Sequence, residues 1–144
     1  MRVYLAGPLF TAAERRFNEE LAKRLGHAGH EVWLPQDREK ALTDRSASGL
    51  FLDDVLGLDW AEAVVANLDG ADPDSGTSWE CGYAYKRKPI IAFRTDIRSA
   101  GENRDAPCNI MPWQSAGYRV LMPLDGVGEI AGRIIGWLQT LERR

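Results

Sequence analysis

The chain of 144 residues carries 18 basic and 21 acidic side chains, a net charge of −3, and is 44% hydrophobic and 27% charged. That is one domain's length with an ordinary globular composition, which excludes a disordered tail and a collagenous chain. A pI near 5.4 argues against a protein that works by neutralising nucleic-acid phosphates, and no apolar run reaches the roughly 18 residues of a membrane span. Arg2 to Ala6 is an apolar run that ends in Gly7-Pro8, a strand running into a turn. Thr11-Ala12-Ala13-Glu14 has the form of a capping box. Phe17, Leu21 and Leu25 follow at helical spacing, with Gly26 or Gly29 as the stop. Glu31 to Leu34 reads as a second strand, stopped by Pro35. From Leu50 to about Trp60 a helix is expected, with Leu50, Phe51, Val55 and Leu58 as its apolar stripe.

Ala63 to Leu68 is almost continuously apolar, as in a strand covered on both faces. It breaks at Asp69-Gly70 into a polar loop, Ala71 to Gly76, ahead of a helix from Ser78 to about Lys86. Pro89 to Phe93 is another buried strand. The polar stretch from Arg94 to Pro107 reads as a mobile or partner-contacting loop. Arg119 to Met122 is the last strand, and Ile130, Ile134, Leu138 and Leu141 mark a C-terminal helix. Five strands alternating with helices describe an α/β fold, a parallel sheet covered on both faces over residues 1–144. Ligands of such sheets lie at the carboxyl ends of the strands, where the order reverses.

Several chemistries lack their sequence support. There is no G-x-G-x-x-G after the first strand and no phosphate-binding G-x-x-x-x-G-K-[ST]. His27 and His30 have no ligand partners at zinc spacing, and Pro73 interrupts the acidic run Asp69, Asp72, Asp74, so no metal and no cofactor is expected. No G-x-S-x-G elbow occurs. Cys81 and Cys108 make no disulfide framework, and the apolar core of Met1 to Pro8 is too short for a secretion signal. A reduced cytoplasmic setting is the expectation.

The informative segment is Asp74-Ser75-Gly76-Thr77-Ser78-Trp79-Glu80-Cys81-Gly82-Tyr83-Ala84. If the helix starts near Ser78, Glu80 falls in its first turn, where free N–H groups and the helix dipole favour an ionised carboxylate, as a nucleophile requires. Thr77-x-x-Glu80 is equally a capping box in form, with Glu80 serving only its own helix. A second carboxylate, Asp54, lies on or beside the apolar stripe of the preceding helix. Desolvation there raises its pKa, which suits a proton donor, while its neighbour Asp53 points about 100° away and is expected to be solvated. One ionised and one protonatable carboxylate make the pair that glycosidic cleavage needs. A half-buried Asp54 without function is the alternative.

In their order along the chain, Tyr4-Leu5-Ala6-Gly7-Pro8-Leu9-Phe10, Leu34-Pro35-Gln36, Asp54, Val64 to Gly70, Asp74 to Ala84, Lys88-Pro89-Ile90-Ile91, Arg94-Thr95-Asp96 and Cys108-Asn109-Ile110-Met111-Pro112-Trp113 resemble the nucleoside 2-deoxyribosyltransferase family. The resemblance implies a flavodoxin-like sheet and transfer of a deoxynucleoside's 2-deoxyribosyl group from one nucleobase to another, as in nucleoside salvage. By the same resemblance Glu80 matches the nucleophile that forms a covalent deoxyribosyl ester. Asp54 matches the acid that protonates the departing base, and Tyr4 a tyrosine that orients the nucleophile. Phe10 and Gln36 match base-pocket residues, and Asp74, with Gly76 beside it, a carboxylate near the sugar 5′-hydroxyl. Asn109 and Met111 match residues that a neighbouring subunit inserts, which implies a homo-oligomer with shared sites.

Each match has a plainer counterpart: Phe10 as a core anchor, Gln36 as a loop hydrogen-bonder, Asp74 as a helix N-cap, Asn109 as a turn former and Met111 as core. Trp79, Trp113 and Met111 are candidates for an apolar wall that keeps water from the ester. The implied partners are deoxynucleosides and free nucleobases, with no nucleic acid and no membrane. Two other readings stand beside this one. One is hydrolysis of deoxynucleoside 5′-monophosphates, kept open by Arg94, Arg98 and Arg104 but opposed by the charge of Asp74. The other is a non-catalytic nucleotide-binding module.

Overall fold

The computed structural model describes residues 1–143. Five short runs of Val, Ile, Leu, Ala and Phe form β1 (Arg2–Ala6), β2 (Glu31–Trp33), β3 (Ala63–Asn67), β4 (Ile90–Arg94) and β5 (Tyr118–Leu121). All pair in parallel in the order β2-β1-β3-β4-β5, the flavodoxin-like order. Between them lie α1 (Ala12–His27), α2 (Pro35–Ala41), α3 (Ala47–Trp60), α4 (Ser75–Ala84), α5 (Ile110–Ser115) and α6 (Val127–Glu142). The order reverses between β1 and β3, and the crevice at their carboxyl ends is where this topology places a ligand.

Alternation along the strands sorts the core into two layers. Val3, Leu5, Val65, Ile91 and Phe93 face α1 and α6, meeting Leu21, Leu25, Ile130, Ile134 and Leu138. Tyr4, Ala6, Val64, Ala66 and Ala92 face the other way, toward Leu58, Cys81 and Ala84. The small alanines on this second face let α3 and α4 approach the sheet closely. Tyr4 is thereby placed on the same side as both helices that carry the candidate carboxylates.

The predicted strands and the first and last helices stand where expected, and the Thr11–Glu14 capping box is formed in both directions. Five expectations are corrected. Pro35 does stop β2, but it also opens α2 at the first helical position, where its missing N–H costs nothing. Asn109 opens the unexpected α5 by accepting a hydrogen bond from the Met111 amide. In α3 the stripe is displaced: Leu58 is buried, but Phe51 is 52% exposed and the other buried residues are Asp53 and Gly57. That helix is apolar nearly all round, so spacing does not select its inner face. Gly57 selects it, because a β-carbon there would lie 2.4 Å from the Trp33 ring.

The fourth correction concerns the stretch from Arg94. Arg94 is wholly buried at the end of β4 and donates to the carbonyls of Leu68, Gly70 and Arg98. Asp69 accepts from the amides of Thr95 and Asp96 and from the Thr95 hydroxyl. The segment is therefore anchored at its start, and Arg94 and Asp69 are engaged in holding two loops together. The fifth is the start of α4. It begins at Ser75, with Asp74 as N-cap accepting from the Thr77 amide at 2.9 Å. Thr77 is buried inside the helix rather than capping it.

Candidate active site

A cavity of about 510 Å3 opens at the carboxyl end of β1, lined by Asp54, Asp74, Gly76, Thr77 and Glu80 together with Leu9, Phe10, Arg15, Pro35, Glu39 and Leu50. Its floor is built from the sheet. Tyr4 is wholly buried, and its hydroxyl donates to Glu80 Oε1 at 2.6 Å, a short hydrogen bond. Asp54 comes from α3, and both carboxylates act on the tyrosine hydroxyl. Two acids from two helices thus converge on one tyrosine from the central strand.

Their proton affinities are set by different balances. Burial raises the Asp54 pKa to about 6, helped by the charge of Asp53 and opposed by the Tyr4 hydroxyl. This agrees with the expectation for a proton donor. Glu80 departs from expectation. Because α4 starts at Ser75, Glu80 stands in the second turn and not the first, beyond the strongest reach of the helix dipole. Burial pushes its pKa up to about 8 despite the Tyr4 hydrogen bond, and the charges of Asp54 and Asp74 push the same way. Tyr4 itself is held far above the ordinary phenol range by burial and by the two carboxylates. Since Asp74 caps the helix, a capping role for Glu80 is removed.

The remaining predicted residues divide. Phe10, 74% exposed, leans over the cavity instead of anchoring the core. Asp74 lines the cavity while capping α4, and Gly76 keeps that carboxylate unobstructed, since a β-carbon there would come within 3.0 Å of it. Gln36 is buried behind the wall: its amide donates to the Arg15 carbonyl at 2.9 Å and to Glu19 at 3.3 Å and accepts from Asn18 at 3.1 Å. It locks α2 to α1 and does not line the cavity. Asn109 and Met111 also lie outside it. Met111 is 74% exposed and borders a separate apolar hollow with Tyr85 and Ile110. Of the proposed water-excluding wall, Trp113 is core and Trp79 stacks on Tyr83 at 5.2 Å; the apolar lining is Leu9, Phe10, Pro35 and Leu50.

Sequence reasoning missed two pairs. Arg15 and Glu39 form an ion pair at 3.2 Å on the cavity wall. Asp53, expected in solvent, is 6% exposed and held by Arg38 at 3.0 Å. Both contacts run between different helices, and no motif in the sequence marks either. Among the described residues no group of three or more His, Cys, Asp or Glu side chains could hold a metal ion, and no helix is long and apolar enough to cross a membrane.

The fold is shared with solved structures. A 2-deoxyribosyltransferase from Bacillus psychrosaccharolyticus superposes with a TM-score of 0.68 at 23% identity, over 91% of this chain and 90% of that one. A 2-deoxyribosyltransferase from Leishmania mexicana gives 0.69 at 20%, over 91% and 97%. A CMP N-glycosidase from Clostridium botulinum gives 0.65 at 18%, over 95% and 99%. No curated protein is significantly similar in sequence. The sequence model described as nucleoside 2-deoxyribosyltransferase matches residues 3–111, a span that includes Tyr4, Asp54, Glu80 and Met111, and the chain belongs to that family.

Proposed function

We propose that the protein transfers the 2-deoxyribosyl group between nucleobases through a covalent ester on Glu80, with retention of configuration. The observation that carries this reading is the Tyr4 hydroxyl on Glu80 at 2.6 Å with Asp54 in the same cavity. In the first step a Glu80 oxygen bonds to C1′ of the deoxynucleoside. The C1′–N bond breaks, its electrons pass to the base, and the base takes the proton of Asp54. In the second step a nitrogen of the incoming base bonds to C1′, the ester C–O bond breaks, and its electrons return to the Glu80 carboxylate. Asp54 then accepts the N–H proton of the new base. Two inversions at one carbon give retention.

The sugar fits between Glu80 and Asp74, and the base lies beneath Phe10 toward Arg15 and Glu39. Asn109 and Met111 do not line their own chain's cavity, which supports the expectation that a second copy of this chain supplies them. The competing reading, cleavage of a 5′-monophosphate, finds little support at the 5′ end. Asp74 stands there, Arg94 is consumed by backbone carbonyls, and Arg98 is paired with Asp96.

Chromatography of products decides between these. Deoxyinosine is incubated alone, with adenine, and beside deoxyinosine monophosphate. Deoxyadenosine that forms only when adenine is present is the expected result. Free hypoxanthine released mainly from the monophosphate would move the assignment to the hydrolase. Silence with purine and pyrimidine donors alike would favour the binding module.

A further inference from the structure

A second cavity, of about 430 Å3, shares Phe10 and Asp74 with the first and is otherwise unused by the reaction. In its wall Asn67, the last residue of β3, is 6% exposed. Asn67 Oδ1 accepts from the Asp69 amide at 2.9 Å, which fixes the orientation of the side-chain amide. The amide nitrogen has no partner among the described residues, nor is it sealed in protein as the unpaired His30 Nε2 and Trp33 Nε1 are. A buried donor left unpaired is costly unless something in the cavity accepts from it. Gly7 makes room for this side chain, since a β-carbon there would lie 3.1 Å from Asn67 Cβ.

The charged groups in the wall have one sign: Glu14, Asp69, Asp72 and Asp74 line the cavity, and no Lys or Arg does. Glu14 is engaged by the amides of Phe10 and Thr11, and Asp69 by those of Thr95 and Asp96. Asp72 has no partner among the described residues, and Asp74 is engaged through one oxygen only. The cavity therefore presents a free donor, an unpaired carboxylate and the Phe10 ring, a set that suits an acceptor atom followed by a cation.

We propose, resting on the deoxyribosyl-transfer reading, that this cavity is an extended subsite for deoxynucleosides with a neutral or cationic 5′ substituent, in which Asn67 donates to an acceptor atom of the substituent and Asp72 pairs with an ammonium at its end. With the sugar between Glu80 and Asp74, a chain on the 5′ carbon leads past Asp74 from one cavity into the other. An anionic substituent meets carboxylates there and no cationic side chain in the wall.

The test measures transfer to hypoxanthine from deoxyadenosine and from three 2′,5′-dideoxyadenosines with a 5′-acetamido, 5′-glycylamido or 5′-carboxyacetamido group. KM for the acetamide is expected within about threefold of that for deoxyadenosine. The glycyl compound gains up to about fivefold over the acetamide, the size of a partly solvated ion pair. The carboxyacetyl compound loses at least about tenfold. Asp72→Asn removes the glycyl advantage and leaves KM for deoxyadenosine unchanged. Asn67→Ala raises KM for the acetamide and the glycyl compound about fivefold. Should Asn67→Ala fail to fold, Ala13→Trp, on the exposed start of α1, fills the cavity and penalises only the extended substrates. Equal KM values for the three amides, rejection of the acetamide, or extended substrates indifferent to Ala13→Trp overturn the proposal. If deoxyadenosine itself gives no transfer, the transfer reading fails, while calorimetric affinities of the same three amides still decide the subsite.

Discussion

Replacing Glu80 by Gln separates the cost of the candidate nucleophile from its use. In the folded chain its pKa is lifted from 4.5 to about 8 by burial. Between those values the native protein holds a proton that the unfolded chain releases, so this group's contribution to stability falls as pH rises and is fully lost above about 8. At about 1.4 kcal/mol per unit the cost reaches at most about 5 kcal/mol. Shared titration with Asp54 and partial solvent contact bring it nearer to 2 kcal/mol. Glu80→Gln keeps the shape and the acceptor for Tyr4 but cannot ionise. We therefore expect no turnover, together with a rise in Tm of about 5 °C at pH 8 that vanishes near pH 4. Calorimetric scans of both proteins at pH 4, 6 and 8, with product chromatography at pH 7, read both effects. Retained turnover removes the nucleophile assignment. A Tm gain that is absent, or equal at all three pH values, refutes the argument that burial opposes ionisation here.

Other substitutions test the rest of the site. Tyr4→Phe removes a short hydrogen bond to a charged acceptor worth about 1.5–3 kcal/mol. It should lower kcat at pH 7 at least about tenfold and move the acid limb of the rate profile upward, and an unshifted limb counts against the orienting role. Asp54→Asn should slow transfer most for bases that leave only when protonated, measured across donors of differing leaving ability; equal slowing contradicts the acid role. Asp74→Ala loses the N-cap of α4, costing about 1 kcal/mol in thermal unfolding. If it also holds the 5′-hydroxyl, it should raise KM for deoxynucleosides about tenfold while leaving KM for the free base unchanged.

The sheet was legible because its strands are continuous apolar runs bounded by Gly, Pro and Asp, and doubly covered strands have little freedom to be anything else. α2 was hidden by Pro35, which ends one element and begins the next. α5 was hidden by its six-residue length. The site was legible in its acids and misread in their surroundings. Spacing drew Asp54 toward an apolar stripe, where it is half-buried, but it could not show that Asp53 is the more deeply buried of the two, because the Arg38 pair and the packing of Trp33 against Gly57 are tertiary. Gln36 illustrates the converse: its residue type suits a base pocket, yet three hydrogen bonds inside the α1–α2 junction consume its amide. The polar groups that do line that wall, Arg15 and Glu39, carry no motif, since either would pass for an ordinary solvated helix charge.

Burial raises both acids, whereas the proposed chemistry needs Glu80 ionised and Asp54 protonated. The empty cavity therefore leaves the two coupled acids in competition for the proton that attack needs on Asp54. Substrate settles this in two ways. A base nitrogen against Asp54 is an acceptor that stabilises the protonated acid, and positive charge growing at C1′ stabilises the ionised glutamate. The consequence is measurable. A kcat/KM profile reports the free enzyme, where the pair as a whole should give a bell with limbs near 6 and 8. The kcat profile, taken with the site filled, should be broader, with its acid limb moved below that of kcat/KM. Identical limbs in the two profiles would mean that substrate does not move the proton.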